Sequence, residues 1–119
     1  MEEIENFRKL KVWEKAHGLV INVYKNTENF PKSEMYGLVS QMRRAAVSIV
    51  ANIVEGTKRK TSKDRKHFLV MSDTSLEELK YYFILSYQLE YIDVSIAQNL
   101  TEKSREVGRM LNGFMKSIK

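Results

Sequence analysis

Five polar side chains fall on one line of an otherwise apolar stretch: Gln41, Arg44, Ser48, Asn52 and Glu55, at steps of three or four residues. That spacing puts them on one face of a helix. An unpaired polar group buried there costs about 1–3 kcal/mol, so each must reach a partner or face water. The first reading is structural, a hydrogen-bond and ion-pair network in which Arg43 or Arg44 pairs with Glu55 or with Glu78 on the following helix. The second is a polar site for a small molecule or a nucleic acid, centred on Arg44, Asn52 and Glu55.

Catalysis finds little support among these residues. His17 and His67 fall on different segments, there is no cysteine, and no serine has a clear nucleophile context. No His–carboxylate spacing suggests a metal, so neither metal nor cofactor is expected. Glu77 and Glu78 are adjacent, and on a helix they point about 100° apart, too far to share a substrate. No glycine-rich phosphate loop is present. The expectation is a protein that is not an enzyme.

A second constellation follows at once: Lys58, Arg59, Lys60, Lys63, Arg65 and Lys66. Together with Arg43 and Arg44 they make eight basic residues against Glu55 and Asp64, a net +6 over Gln41 to Lys66, where the whole chain is +5. All the net positive charge thus sits in one place, where it can meet a polyanion. A basic run is often only a solvated loop. Here the concentration of charge, a sequence pI near 9.4 and the neighbouring helix N-terminus, whose free N–H groups suit phosphate, favour a binding role. Tyr81, beside Lys80, is the best aromatic candidate for stacking on a base, although the tyrosines and phenylalanines around it fit core stripes.

The elements that must carry these residues are helices. One proline and five glycines in 119 residues give too little punctuation for a β-sandwich or barrel. Apolar spacing predicts a first helix over about 10–29, closed by Phe30-Pro31. Ser33 reads as the N-cap of a second helix, from about Glu34 to Glu55, with Met35, Leu38, Val39, Met42, Ala46, Ile49, Val50 and Ile53 on one stripe. Gly56 stands where a left-handed C-terminal residue is expected. Thr61-Ser62-Lys63-Asp64 has the spacing that opens a third helix, running to about Glu90. Asp93 or Ser95 caps a fourth. Helices of these lengths with short connections predict an all-α, up-down-up-down antiparallel four-helix bundle in a single domain.

Val47, Ala51 and Val54 leave the second helix with more apolar surface than one interior uses, and so does a second stripe on the third, Tyr82, Leu85, Leu89 and Ile92. Deep burial or a subunit interface would account for it. The opening, MEEIENFRK, is acidic and mixed, so no leader peptide is expected there, and the longest apolar run falls well short of the roughly 20 residues that span a bilayer. A soluble, cytoplasmic protein with no membrane contact is expected.

Three blocks carry a resemblance to a known family: Phe7-x-x-Leu10-x-Val12-Trp13-x-x-Ala16, then Phe30-Pro31-x-x-Glu34-x-Tyr36-Gly37-Leu38, then Gln41-Met42-Arg43-Arg44-Ala45-Ala46-x-Ser48-Ile49-x-x-Asn52-Ile53-x-Glu55-Gly56. With Phe68-Leu69 and Ser75-Leu76-x-Glu78-Leu79 the chain resembles the four-helix-bundle family named for the 23S ribosomal RNA intervening sequence. One departure is Ser72-Asp73-Thr74-Ser75, where the family has a small-x-Gly-Ser pattern; Thr74 for glycine suggests a wider helix–helix approach. The resemblance implies a homopentameric ring. It also implies kinship with bacterial accessory proteins that bind nucleic acid and a reverse transcriptase. The function expected is binding of structured RNA or other nucleic acid through Arg43, Arg44, Lys58, Arg59, Lys60, Lys63, Arg65 and Lys66. The alternative is a scaffold for a reverse transcriptase or RNA-processing enzyme.

Overall fold

The structure, a computed structural model, describes residues 10–119; Phe7 of the first block and the reading of the opening segment lie outside them. Four α-helices follow one another: α1 (Lys11–Thr27), α2 (Leu38–Lys58), α3 (Ser62–Gln88) and α4 (Val94–Ser117), with a 3-10 turn at Lys32–Glu34 before α2 and no strand among the described residues. Each helix packs on two others, α2 on α1 and α3, and α4 on α3 and α1. One core joins all four. Ala16, Leu19 and Val23 meet Ala46, Ile49 and Ile53, with Leu76, Leu79, Phe83, Leu100, Val107 and Leu111 closing it. Burying each valine, leucine, isoleucine or phenylalanine among them stabilises by roughly 1.5–3 kcal/mol.

Two helix starts are local and form as expected. The Thr61 hydroxyl accepts from the Asp64 N–H at 3.1 Å, and the Asp93 carboxylate accepts from the Ile96 N–H at 2.8 Å. The start of α2 differs. Ser33 lies in the 3-10 turn, and α2 begins at Leu38 after Gly37, with Glu34 Oε1 accepting the Leu38 N–H at 3.3 Å. Met35 is therefore off the core stripe and 53% exposed.

Gly56 is not a left-handed terminus either. It is buried inside α2, and no described glycine has positive φ. A Cβ there would lie 3.4 Å from the Arg65 carbonyl oxygen and 3.5 Å from Leu69, so the residue marks where α3 comes close. The left-handed position belongs to Glu90, at φ 64°. Around it the Tyr91 N–H donates to the Ser86 carbonyl at 2.9 Å and the Glu90 N–H to the Tyr87 carbonyl at 3.0 Å, the paired bonds of a Schellman terminus. Tyr91 then donates to Glu34 Oε2 at 2.9 Å and packs on Phe30, tying the α3–α4 turn to the segment before α2.

Candidate nucleic-acid interface

The polar line on α2 is mostly spoken for. Ser48 Oγ and Ser75 Oγ share a hydrogen bond of 2.9 Å across α2 and α3, and Asn52 donates to Ser48 Oγ at 3.1 Å. One turn on, buried Ser72 donates to the Ile49 carbonyl at 2.7 Å. Hydroxyl contacts of this kind need close helices, and Thr74 does not widen them: it is exposed and bonds back to the Val70 carbonyl of its own helix.

The ion pairing differs from expectation. Arg43 turns toward α1, its Nε donating to Thr27 Oγ1 at 3.0 Å and its guanidinium lying 4.5 Å from the centre of the Tyr24 ring. Glu55 pairs with Arg59 one turn later at 2.6 Å. Arg44 and Glu78 are exposed, as is Gln41, and form no ion pair among the described residues. Arg43 and Glu55 lie twelve positions apart on one helix, about 18 Å at 1.5 Å per residue, too far to pair, and each takes a nearer partner.

The eight basic residues do not form one surface. Arg43 and Lys58 are fifteen positions apart on α2, about 22 Å at 1.5 Å per residue. Arg43 and Arg44 instead border a groove of about 710 Å³ with Tyr24, Tyr36 and Val47. The other six cluster where three residues, Arg59 to Thr61, join α2 to α3. Within this corner Arg59 is held: besides its pair with Glu55 it stacks 4.4 Å above Phe68, while its carbonyl accepts from Arg65 Nε at 2.8 Å. Lys58, Lys60, Lys63 and Lys66 are exposed and form no ion pair among the described residues. They offer four charges to solvent on a fixed frame, beside the N-terminal turn of α3.

Tyr81 is exposed but lies about 22 Å along α3 from Lys66, too far to act with the corner. Besides Phe68, which is covered by Arg59, an aromatic that adjoins it is Phe114, from α4. Phe114 and Ile118 border a groove of about 320 Å³ together with Leu10, Gly56, Lys58 and Arg65. Nothing in the sequence pattern brings Phe114 near Lys58, since their shared groove depends on how α4 packs against α1 and α3.

Among the described residues no group of three His, Asp or Glu side chains is placed to hold a metal, and no helix is long and apolar enough to cross a membrane. His17 stacks on Trp13 at 4.8 Å and His67 meets Phe68 edge-on. Glu77 pairs with Lys80 at 2.8 Å.

No curated protein matches the chain. Among solved structures, a protein of unknown function from the S23 ribosomal protein family of Bacteroides thetaiotaomicron VPI-5482 is similar, with a TM-score of 0.81 at 20% identity, covering 89% of this chain and 96% of that one. At that identity the likeness concerns the fold. A sequence model of the 23S rRNA-intervening sequence proteins matches residues 8–113, nearly the full length. The chain belongs to the 23S rRNA-intervening sequence protein family.

Proposed function

We propose that this protein is a non-enzymatic, homo-oligomeric binder of structured RNA or other nucleic acid, working in the cytoplasm through the corner between α2 and α3. The observation that carries the reading is the set of four exposed lysines, Lys58, Lys60, Lys63 and Lys66, around a three-residue connection. Fixed cations beside helix N–H groups suit phosphates, and they read backbone shape rather than base edges. Binding then falls steeply with salt, because neutralised phosphates release counterions. Arg43, already engaged with Tyr24 and Thr27, has at most a secondary part.

The test is RNA affinity across a salt series for the full chain and for a Lys58→Gln, Lys60→Gln, Lys63→Gln variant. Arg59 is left in place because it holds the corner together. Each lysine lost should flatten the log–log salt slope by about 1. An unchanged slope would move the site elsewhere.

The same reading includes assembly. The four helices are taken as an up-down-up-down antiparallel bundle, which their short connections and neighbour-to-neighbour packing support. Two unlike apolar surfaces remain exposed, one with Tyr24, Met35, Tyr36 and Val47, the other with Tyr81, Ile84, Tyr87 and Val94. Unlike surfaces that pair head to tail generate a ring where the rotation between copies closes and a filament where it does not. Five copies is the number the family resemblance implies, so light scattering should give five times the 14.0 kDa chain mass.

A second reading, a scaffold docking a reverse transcriptase or RNA-processing enzyme without touching nucleic acid, is favoured by Tyr36. It is 92% exposed beside Met35, and both types are enriched at protein interfaces. A stoichiometric protein partner that survives nuclease treatment, with no RNA affinity in the purified protein, would select it.

A further inference from the structure

We propose that the groove beside the lysines captures a single unpaired nucleobase, so that the preferred target is RNA with a bulged or looped-out nucleotide rather than a continuous duplex. This rests on the polyanion reading above and deepens it.

Two physical features of the groove point to this occupant. Its floor is apolar and partly aromatic, formed by Leu10, Phe114 and Ile118, with Gly56 and Thr57 on its α2 side. Its rim is cationic, formed by Lys58 and Arg65. An apolar slot alone would accept many things. An apolar slot edged by positive charge complements a ligand that is flat and uncharged at one end and anionic on both flanks. An unstacked nucleotide has that form, with its base as the flat part and the phosphates before and after it as the charges.

Size and rigidity agree with the assignment. A volume of about 320 Å³ is at the low end for a small-ligand pocket, suited to one heterocycle rather than a larger molecule. Arg65, which borders the groove, is anchored through Nε to the Arg59 carbonyl at 2.8 Å. Lys60, Lys63 and Lys66 continue the positive surface away from the groove and would follow the flanking strand. A duplex presents only phosphates to this surface, because its bases stay stacked. An extruded base adds contact with Phe114.

The test uses the full chain and two RNA hairpins, identical except that one carries a single bulged 2-aminopurine. The wild-type protein should bind the bulged hairpin about tenfold more tightly, within the range for one base stacked on an aromatic ring. 2-Aminopurine fluorescence should rise as the base leaves its stack. Phe114→Leu keeps an apolar side chain on the floor but removes the ring, and should abolish most of the preference while leaving perfect-duplex affinity and its salt slope unchanged. Circular dichroism and melting temperature establish that this variant is folded, and Arg65→Gln, outside the core, provides an independent loss of preference. Equal binding of both hairpins with no fluorescence change would overturn capture and leave the electrostatic site standing. If neither hairpin binds in a salt-dependent way, the polyanion reading fails and capture fails with it. A fluorescence response that appears only after Ile4 and Phe7 are changed to serine would mean that the chain's own first residues occupy the groove, which also overturns the proposal.

Discussion

Glu90 holds a backbone conformation that side chains with a Cβ adopt only at a cost, φ 64°, because the Schellman bonds of the α3 terminus require it. Glycine adopts that region freely. Glu90→Gly should therefore stabilise the protein by about 1 kcal/mol, read as a higher urea midpoint with unchanged slope. The next residue carries a pH dependence. The hydrogen bond to Glu34, burial and the charge of that carboxylate all hold the Tyr91 phenol above its ordinary pKa of 10.0. The folded state thus favours the protonated phenol. Its contribution is complete below pH 10 and declines as pH rises through the unfolded and then the folded pKa. Tyr91→Phe should remove that alkaline component of the stability–pH profile while leaving the profile near neutrality the same in shape.

Helices reveal their ends unevenly, and the four here show why. The starts of α3 and α4 could be read from Thr61 with Asp64 and from Asp93, because a cap is a bond between residues three apart. The start of α2 could not. Ser33-Glu34 has the composition of a cap, yet a 3-10 turn forms there and Glu34 reaches forward to Leu38 instead. Gly56 misleads for a related reason: a glycine after an apolar run looks like a stop, whereas its function is set by α3, distant in the chain until the helices pack. This makes a prediction that separates the two roles. Gly56→Ala should be tolerated, since its Cβ would make ordinary contact at 3.4–3.5 Å and alanine favours the helix by up to about 1 kcal/mol. A left-handed terminus would instead lose stability. Thermal melting of the variant distinguishes these outcomes.

At the scale of the whole molecule, the apolar surplus foreseen in α2 and α3 remains on the surface only in part: Val47 and Leu89 are each 44% exposed, whereas Tyr82 and Leu85 pack against the core and Ile92 is buried. A charge placed in such a surface disrupts association while leaving the core intact. Val47→Glu should reduce the mass in solution to that of one chain, with helicity unchanged by circular dichroism; an unaltered mass would remove this face from the interface. The candidate site was legible in its charges and not in its geometry. Lys58 to Lys66 stand out in any count, but the separation of Arg43 and Arg44 from them is a matter of helix rise, and Phe114 joins them only through the packing of α4.

The stacked and paired Arg59 has a consequence for the fate of the chain as well as for its ligands. Lys58-Arg59-Lys60 reads as an open invitation to trypsin. Yet only three residues separate the helices, and the middle arginine is pinned to Glu55 and Phe68. A protease must draw out an extended strand of several residues, which here would require unwinding the adjoining ends of α2 and α3 first. The most basic segment of the protein should accordingly resist trypsin more than its exposure and composition suggest, and its cleavage rate there would measure how often the corner opens.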